Sequence, residues 1–344
     1  MIKIGKRLTL SYKKPPLIIA EISGNHCGNK KKFLELIKSA FKNGADLVKI
    51  QTYEPEDITL NKKSNKFKIR KGIWKNQYLW NLYKKACTPF AWHEDAFKIA
   101  KKNKKILFSS PFSLRAVDLL EKFKVKLYKI ASFEITDLKL IDYVASKKKP
   151  IIISTGMSSI KEVKRAIKII NKHHNKIIIM HCVSNYPTKL KDTNLYRINY
   201  LKKVFKKNLI GISDHTNDIQ SSISSISIGV VAIEKHFKLN ESKTPDSEFS
   251  IEKNKLKKLK NDSLDLFKSI NKKKIKTEKI NINLRRSIFA KKNIDKKEKI
   301  NSDNIVSLRP NIGIPSEYFF KILGKKVKKK IKKNDPIFFK NIYK

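Results

Sequence analysis

The sequence predicts an α/β protein: a (β/α)₈ barrel over residues 1–270, a polar linker at 271–283 and a small β-rich domain over 284–344. Three observations carry this. About eight short apolar runs alternate with stretches of helical period over roughly 260 residues, the pattern of a strand–helix barrel. No Gly-rich dinucleotide fingerprint follows the first run, which argues against an open doubly wound sheet. Past Asn283 the texture changes to short strand-like pieces and turns.

Leu17 to Ile22 is rich in β-branched residues and carries charge only near its end, as a buried parallel strand does. After a polar loop, residues 31–43 place Phe33, Leu34, Ile37 and Phe41 at helical spacing, and Gly44 closes the helix. Asp46 to Thr52 is the next strand, with Lys49 and Gln51 on one face. An excursion from Tyr53 to Ala86 interrupts the alternation; a long insertion at this end of a strand is usually functional. Thr88 and Pro89 read as an N-cap and first helical residue of a helix to about Lys102 that buries Phe90, Phe97 and Ile99.

Ile106 to Ser110 is a strand, and Ser113 caps a helix to Phe123. Leu127 to Ala131 is a strand, and Thr136 caps the next helix. The strand from Pro150 ends at Gly156, and Ser159 with Glu162 forms a capping box for a helix to Lys172. Ile177 to Cys182 is a strand, with a helix over 194–206 after it. Gly211 to His215 and Ala232 to His236 are the last two strands, separated by a helix over 218–228, and a final helix covers 251–270. In the C-terminal part, Arg285 to Ala290, Ile305 to Leu308 and Lys333 to Pro336 read as strands and turns, and the lysine runs around Asp295 and over 325–333 as solvated faces.

The formal net charge of +49, from 79 Lys and Arg against 30 Asp and Glu, raises nucleic acid or an anionic membrane as partners. The lysines are spread over the whole length, alongside abundant Ile and Asn, as A/T-rich codon drift would leave them. Nucleic-acid binding, which favours clustering, is therefore the minor reading. Three dispersed cysteines exclude a disulfide framework or a Cys-based zinc site and fit a reducing compartment. The first apolar run is too short for a signal peptide and no stretch reaches a membrane span, so a soluble cytoplasmic protein is expected.

In a barrel the active site lies at the C-terminal strand ends. Those ends collect Glu21, Lys49, Gln51, Ser110, Lys129, Ser132, Ser154, His181, Ser184, Tyr186, Ser213, His215, Glu234 and His236. Strand alternation puts Glu234 and His236 on one face and Lys235 on the other; Ser213 and His215 share a face likewise. Two imidazoles at neighbouring strand ends suit Mn²⁺, Zn²⁺, Fe²⁺ or Co²⁺ in an open catalytic site, since no third His or Cys stands by. Lys49 and Lys129 end apolar strands, where a cation asks for an anionic partner; with the serines they suit a phosphate. Lys129 could also serve as a Schiff-base nucleophile.

The motifs at these ends carry a resemblance: Ala20 to His26, Lys49 to Thr52, Ser109 to Phe112, Tyr128 to Ser132, Ser154 to Gly156, Ser213 to His215 and Glu234 to His236. Arg286 to Ala290, Leu308 to Pro310 and Gly313 continue it. Along its whole length the chain resembles the bacterial sialic acid synthases, which have a TIM barrel and a C-terminal antifreeze-like (SAF, β-clip) domain. The insertion residues Gly72 to Trp74, Leu82 and Tyr83, and Thr88 to His93 are similar to the branch that makes pseudaminic acid.

The resemblance implies a transferase that condenses phosphoenolpyruvate with 2,4-diacetamido-2,4,6-trideoxy-β-L-altropyranose and water, giving pseudaminic acid and phosphate. N-acetylneuraminate and legionaminic acid synthases are the neighbouring alternatives; a basic nucleic-acid-binding protein is the alternative of a different class. It implies that Lys49, Ser110, Lys129, Ser132, Ser154, Ser184 and Ser213 bind phosphoenolpyruvate. Gln51, Tyr186 and Asp246 would face the sugar, as would Arg309 from the partner subunit of a domain-swapped homodimer. His215 and His236 would hold Mn²⁺ or Mg²⁺, and Glu21 or Glu234 would activate water. Ser110 and Ser184 stand where related enzymes have threonine or asparagine, which keeps a donor in place.

Overall fold

The computed structural model describes residues 1–239, 243–271 and 279–343. The chain divides into two compact units, Met1–Asn271 and Lys272–Lys344. Most of the expected linker, 272–278, lies outside the described residues.

The first unit opens with a short antiparallel hairpin, β1 (Ile2–Ile4) and β2 (Leu8–Leu10). The barrel then begins: β3 (Leu17–Glu21), α1 (Lys30–Lys42), β4 (Leu47–Thr52), the insertion with α2 (Leu79–Ala86), α3 (His93–Lys102), β5 (Ile106–Pro111) and α4 (Leu114–Lys122). It continues with β6 (Tyr128–Ile130), α5 (Leu138–Ser146), β7 (Ile151–Ser154), α6 (Ile160–Asn171) and β8 (Ile177–Cys182). It ends with α7 (Tyr196–Val204), β9 (Leu209–Asp214), α8 (Gln220–Ile228), β10 (Ala232–His236) and α9 (Lys253–Ile270). The eight strands β3 to β10 close into one parallel barrel, with β10 hydrogen-bonded to both β9 and β3.

Strand alternation sorts the side chains into two cores. Outward-facing residues such as Ile18, Val48, Tyr128, Ile153, Ile179 and Ile233 pack under the apolar faces of the surrounding helices. Inward-facing residues at the strand starts, among them Ile19, Leu47, Phe108, Ile152, Ile178 and Met180, fill the lower half of the barrel. Ile4 and Leu10 of the hairpin join that inner cluster. These strands of three residues are too short to announce themselves by periodicity.

Two expected caps are corrected. Thr88 is buried and hydrogen-bonded to His26 Nε2 at 3.3 Å, and residues 90–92 form a 3₁₀ turn, so the helix starts only at His93. That helix buries Ala96 and Ala100, while Phe97 is half-buried and stacks on Phe123 with ring centroids 4.8 Å apart. The cap of α5 is Asp137, whose carboxylate accepts from Leu140 N, one residue beyond the expected Thr136. The capping box of Ser159 and Glu162 is formed as expected.

The second unit is described by itself. β11 (Ser287–Ala290) and β12 (Ile305–Leu308) pair antiparallel, and α10 (Phe319–Ile322) follows. Ile288, Ile294, Ile305, Ile314 and Ile337 are among its own core residues. Within the lysine run at 325–333, Val327 and Ile331 are buried while most of the lysines stay exposed.

Candidate active site

The parity that fills the lower barrel with apolar groups brings a polar layer directly above it. Ile19, Glu21 and Leu47, Lys49 lie on the inner face of adjacent strands, and the register sets Glu21 opposite Lys49 and Ser213 opposite Glu234. The consequence is a buried charge cluster. Lys49 Nζ lies 2.8 Å from Glu21 Oε2 and 2.9 Å from Glu234 Oε1. Lys129 Nζ reaches the same Glu234 oxygen at 3.2 Å, and the Ser213 hydroxyl donates to it at 2.9 Å.

Burial alone would raise the Glu234 carboxyl, but the ammonium groups of Lys129 and Lys49 and the Ser213 hydroxyl outweigh it and hold the group well below the usual range. Lys49 moves the other way: burial, aided by Lys129, brings it down to about 7 against the pull of Glu234.

Other hydroxyls complete this layer. The side-chain oxygens of Ser110 and Ser154 are buried without a partner, and buried polar groups normally have one. Ser132 Oγ lies 3.1 Å from Ser184 Oγ, and the loop after β7 passes close to both. Gly156 makes that approach possible: at φ +42°, a Cβ there would come within 2.5 Å of Ser132 Cβ and Ser184 Oγ.

His215 and His236 stand beside the cluster with ring centroids 5.4 Å apart. His215 Nδ1–H donates to Val183 O at 2.8 Å, which leaves Nε2 with its lone pair. His236 Nδ1 is buried without a hydrogen-bond partner. Burial brings His215 down to about 4 and His236 well below its ordinary value, so both rings are neutral at pH 7. Neutral, buried imidazoles with free lone pairs are the state a transition-metal ligand requires. Among the described residues no cluster of three or more His, Cys, Asp or Glu side chains offers a closed metal site, so the pair fits an open one.

Lys49, Gln51, Lys129, Ser132 and Ser154 line a single cavity of about 350 Å³. Tyr186, Ser213, His215, Glu234, His236 and Asp246 line the same one. Asp246 accepts from Gly24 N at 3.0 Å, and burial raises its carboxyl. Phe249 packs on His236 at 4.7 Å and on Tyr186 at 5.0 Å. Glu21 and Ser184 touch the site through the contacts given above, and Ser110 stands opposite the cavity-lining Gln51 in the register of β4 and β5. His181, gathered with the strand ends, faces away: its Nε2 is bonded to Thr193 O at 2.7 Å, and Cys182 takes the inward place. Arg309 lies in the second unit, just past β12, with its side chain exposed.

The motif reading missed Glu134. It sits in a 3₁₀ turn beyond β6 and lines the cavity; Oε2 is buried without a partner, and burial raises the carboxyl to about 7. Strand parity did not reach it, because it follows the strand by several residues. Of the insertion residues singled out in the sequence, Trp74, Leu82 and Tyr83 line the cavity, and Ile69, which the sequence did not single out, lines it too.

Residues 36–275 match the model of the NeuB family, and residues 285–342 that of the SAF domain. The pseudaminic acid synthase of Helicobacter pylori is 40% identical over 333 residues, covering 94% of this chain and 97% of that protein. That of Campylobacter jejuni serotype O:2 is 36% identical, covering 94% and 96%. An N,N'-diacetyllegionaminic acid synthase of the same organism is 34% identical, covering 94% and 99%. Among solved structures, the N-acetylneuraminic acid synthetase of Leptospira borgpetersenii superposes with a TM-score of 0.73 at 27% identity, covering 82% of this chain and 94% of that one.

Proposed function

The chain belongs to the NeuB family, and from that membership we propose that it is a transferase of nonulosonic acid synthesis. It condenses phosphoenolpyruvate with 2,4-diacetamido-2,4,6-trideoxy-β-L-altropyranose and water to give pseudaminic acid and phosphate. The single observation that supports this best is the pairing, in one cavity, of two buried lysines and the unpartnered Ser154 hydroxyl with two neutral imidazoles. The sugar assignment follows the relatives at 36–40% identity over 94% of this chain.

Lys49 and Lys129 hold the phosphate and carboxylate of phosphoenolpyruvate, and the hydroxyls of Ser110 and Ser154 donate to them. Ser132, Ser184 and Ser213 complete that half. Gln51, Tyr186 and Asp246 orient the open-chain sugar above it. His215 and His236 hold the divalent ion, Mn²⁺ or Mg²⁺, which when bound supplies Lewis acidity toward a carbonyl oxygen.

The methylene carbon of phosphoenolpyruvate forms a bond to the aldehyde carbon, and the aldehyde oxygen becomes a hydroxyl. The cationic carbon that bears the phosphate takes up water, and the resulting tetrahedral centre releases phosphate by C–O cleavage. Of the candidate bases for that water, Glu234 is ill suited, because two ammonium groups and a hydroxyl already stabilise its anion. Glu21 is engaged by Lys49 and by Ser23 N. Glu134, with a free oxygen and a carboxyl near 7, takes and returns a proton at neutral pH more readily.

Arg309 reaches the sugar site of a partner subunit in a domain-swapped homodimer, and the enzyme works in the cytoplasm. Among the described residues no helix is long and apolar enough to cross a membrane. The deciding experiment is product mass from phosphoenolpyruvate with each candidate amino sugar. A product at the mass of pseudaminic acid, made only from the altrose sugar, is expected. N-acetylneuraminate or legionaminate from a manno- or gluco-configured acceptor sinks the pseudaminic reading and keeps the family chemistry.

A further inference from the structure

The cavity has two unlike halves. Its floor is the charged and hydroxylated layer of the barrel. Its other wall comes from the insertion, where Ile58, Ile69, Trp74, Leu79, Leu82 and Tyr83 line the space. The insertion is rich in charge, yet none of its charged side chains lines the cavity. Its acidic residues turn outward onto one arginine: Arg115 lies 3.1 Å from Glu54, 3.0 Å from Glu56 and 2.7 Å from Asp57. Burial of apolar groups alone does not require that sorting, since Ile58, Ile69 and Trp74 are only partly buried and face open space in the cavity.

Trp74 fastens this wall across the site. Its indole N–H donates to Pro245 O at 2.8 Å, next to Asp246, and its ring lies 5.5 Å from that of Tyr186. The wall is thereby fastened beside Asp246 and Tyr186, the residues assigned above to the sugar.

We propose that the insertion, with Trp74 and Ile69 at its centre, is the element that selects the acceptor sugar, by packing against its apolar substituents: N-acyl methyl groups and a deoxygenated terminal carbon. This rests on the synthase reading above and deepens it. A hydroxyl in place of hydrogen at the terminal carbon would enter a surface of hydrocarbon and aromatic carbon and leave its water partners behind. Discrimination by one such group in an apolar pocket is roughly 10- to 200-fold in kcat/KM.

The test compares two acceptors that differ at one atom: the diacetamido-trideoxy altrose and its 6-hydroxylated counterpart, each with saturating phosphoenolpyruvate. The wild-type protein is expected to favour the deoxy sugar by roughly 10-fold or more. Trp74→Ala and the milder Ile69→Thr, which places a hydroxyl in the wall, are expected to bring that ratio toward one while the KM for phosphoenolpyruvate stays put. Ile69→Thr, β-branched like Ile, keeps the main-chain hydrogen bonds of residue 69 with Gln77 and Asn76 and serves as the test if Trp74→Ala proves unstable. A wild-type enzyme that turns over the deoxy sugar, with a selectivity ratio that neither variant moves, overturns the inference and leaves the synthase reading standing. A wild-type enzyme that turns over neither diacetamido sugar overturns both.

Discussion

Lys235 Nζ lies 3.2 Å from Asp214 Oδ2, a fully buried ion pair on the outside of the barrel between the two strands that carry His236 and His215. The Lys235 ammonium also donates to the carbonyl and hydroxyl of Thr216, and Asp214 accepts from Thr216 N and from the Ser222 hydroxyl. His215 is therefore gripped on both sides by a network anchored on the residue between Glu234 and His236. Lys235→Met leaves a buried carboxylate short of its cation, a loss of about 3–5 kcal/mol by analogy with other broken buried pairs. Urea unfolding should register that loss. In the fraction that stays folded, Mn²⁺ titration by electron paramagnetic resonance should show weaker binding than wild type; unchanged affinity would show that the pair does not set the histidine spacing.

Two groups on the cavity wall titrate near neutrality from opposite directions. Burial lowers the Lys49 ammonium to about 7, so its cation is present below that pH and lost as pH rises through it. Burial raises the Glu134 carboxyl to about 7, so the basic form appears only as pH rises through it. The profile of kcat/KM for phosphoenolpyruvate should be a narrow bell centred near neutral. Lys49→Arg keeps its charge at all working pH values and should remove the falling limb. Glu134→Gln should lose the rising limb and about 10²- to 10⁴-fold in rate. A flat profile across about pH 6 to 8 contradicts both assignments.

Chelation should abolish phosphate release from the complete mixture, and Mn²⁺ should restore it. His236→Ala should weaken Mn²⁺ binding by about 100-fold or more, read directly as free ion by electron paramagnetic resonance in the absence of substrates. Full activity in excess chelator would remove the metal from the reading. Activity lost with Mn²⁺ affinity intact would assign His236 to the substrate instead.

Much of this site was legible because a parallel barrel converts sequence parity into geometry. Lys49 and Gln51, Ser213 and His215, Glu234 and His236 each share a face two residues apart, and all six line one cavity. Parity says nothing where both faces are apolar. Along Ile177–Cys182 every residue is buried, and only the neighbouring strands decide that Cys182, not His181, points inward. Glu134 and the Asp137 cap lie in turns, where no period applies. The excursion from Tyr53 to Ala86 was recognisable as an interruption. Which of its residues would turn inward depends on contacts far along the chain, such as that of Trp74 with Pro245.

The hairpin of β1 and β2 gives the barrel a sealed bottom, with Ile4 and Leu10 joining Ile19, Leu47 and Phe108 in a solid apolar plug. With the bottom filled, the charged layer is approached from the C-terminal strand ends. In the proposed reaction phosphoenolpyruvate, on Lys49 and Lys129 directly above the plug, would have to arrive before the sugar placed over it. Phosphate, released at the same depth, would then leave after the nine-carbon acid, and product-inhibition kinetics are expected to show that order; random release would sink the placement.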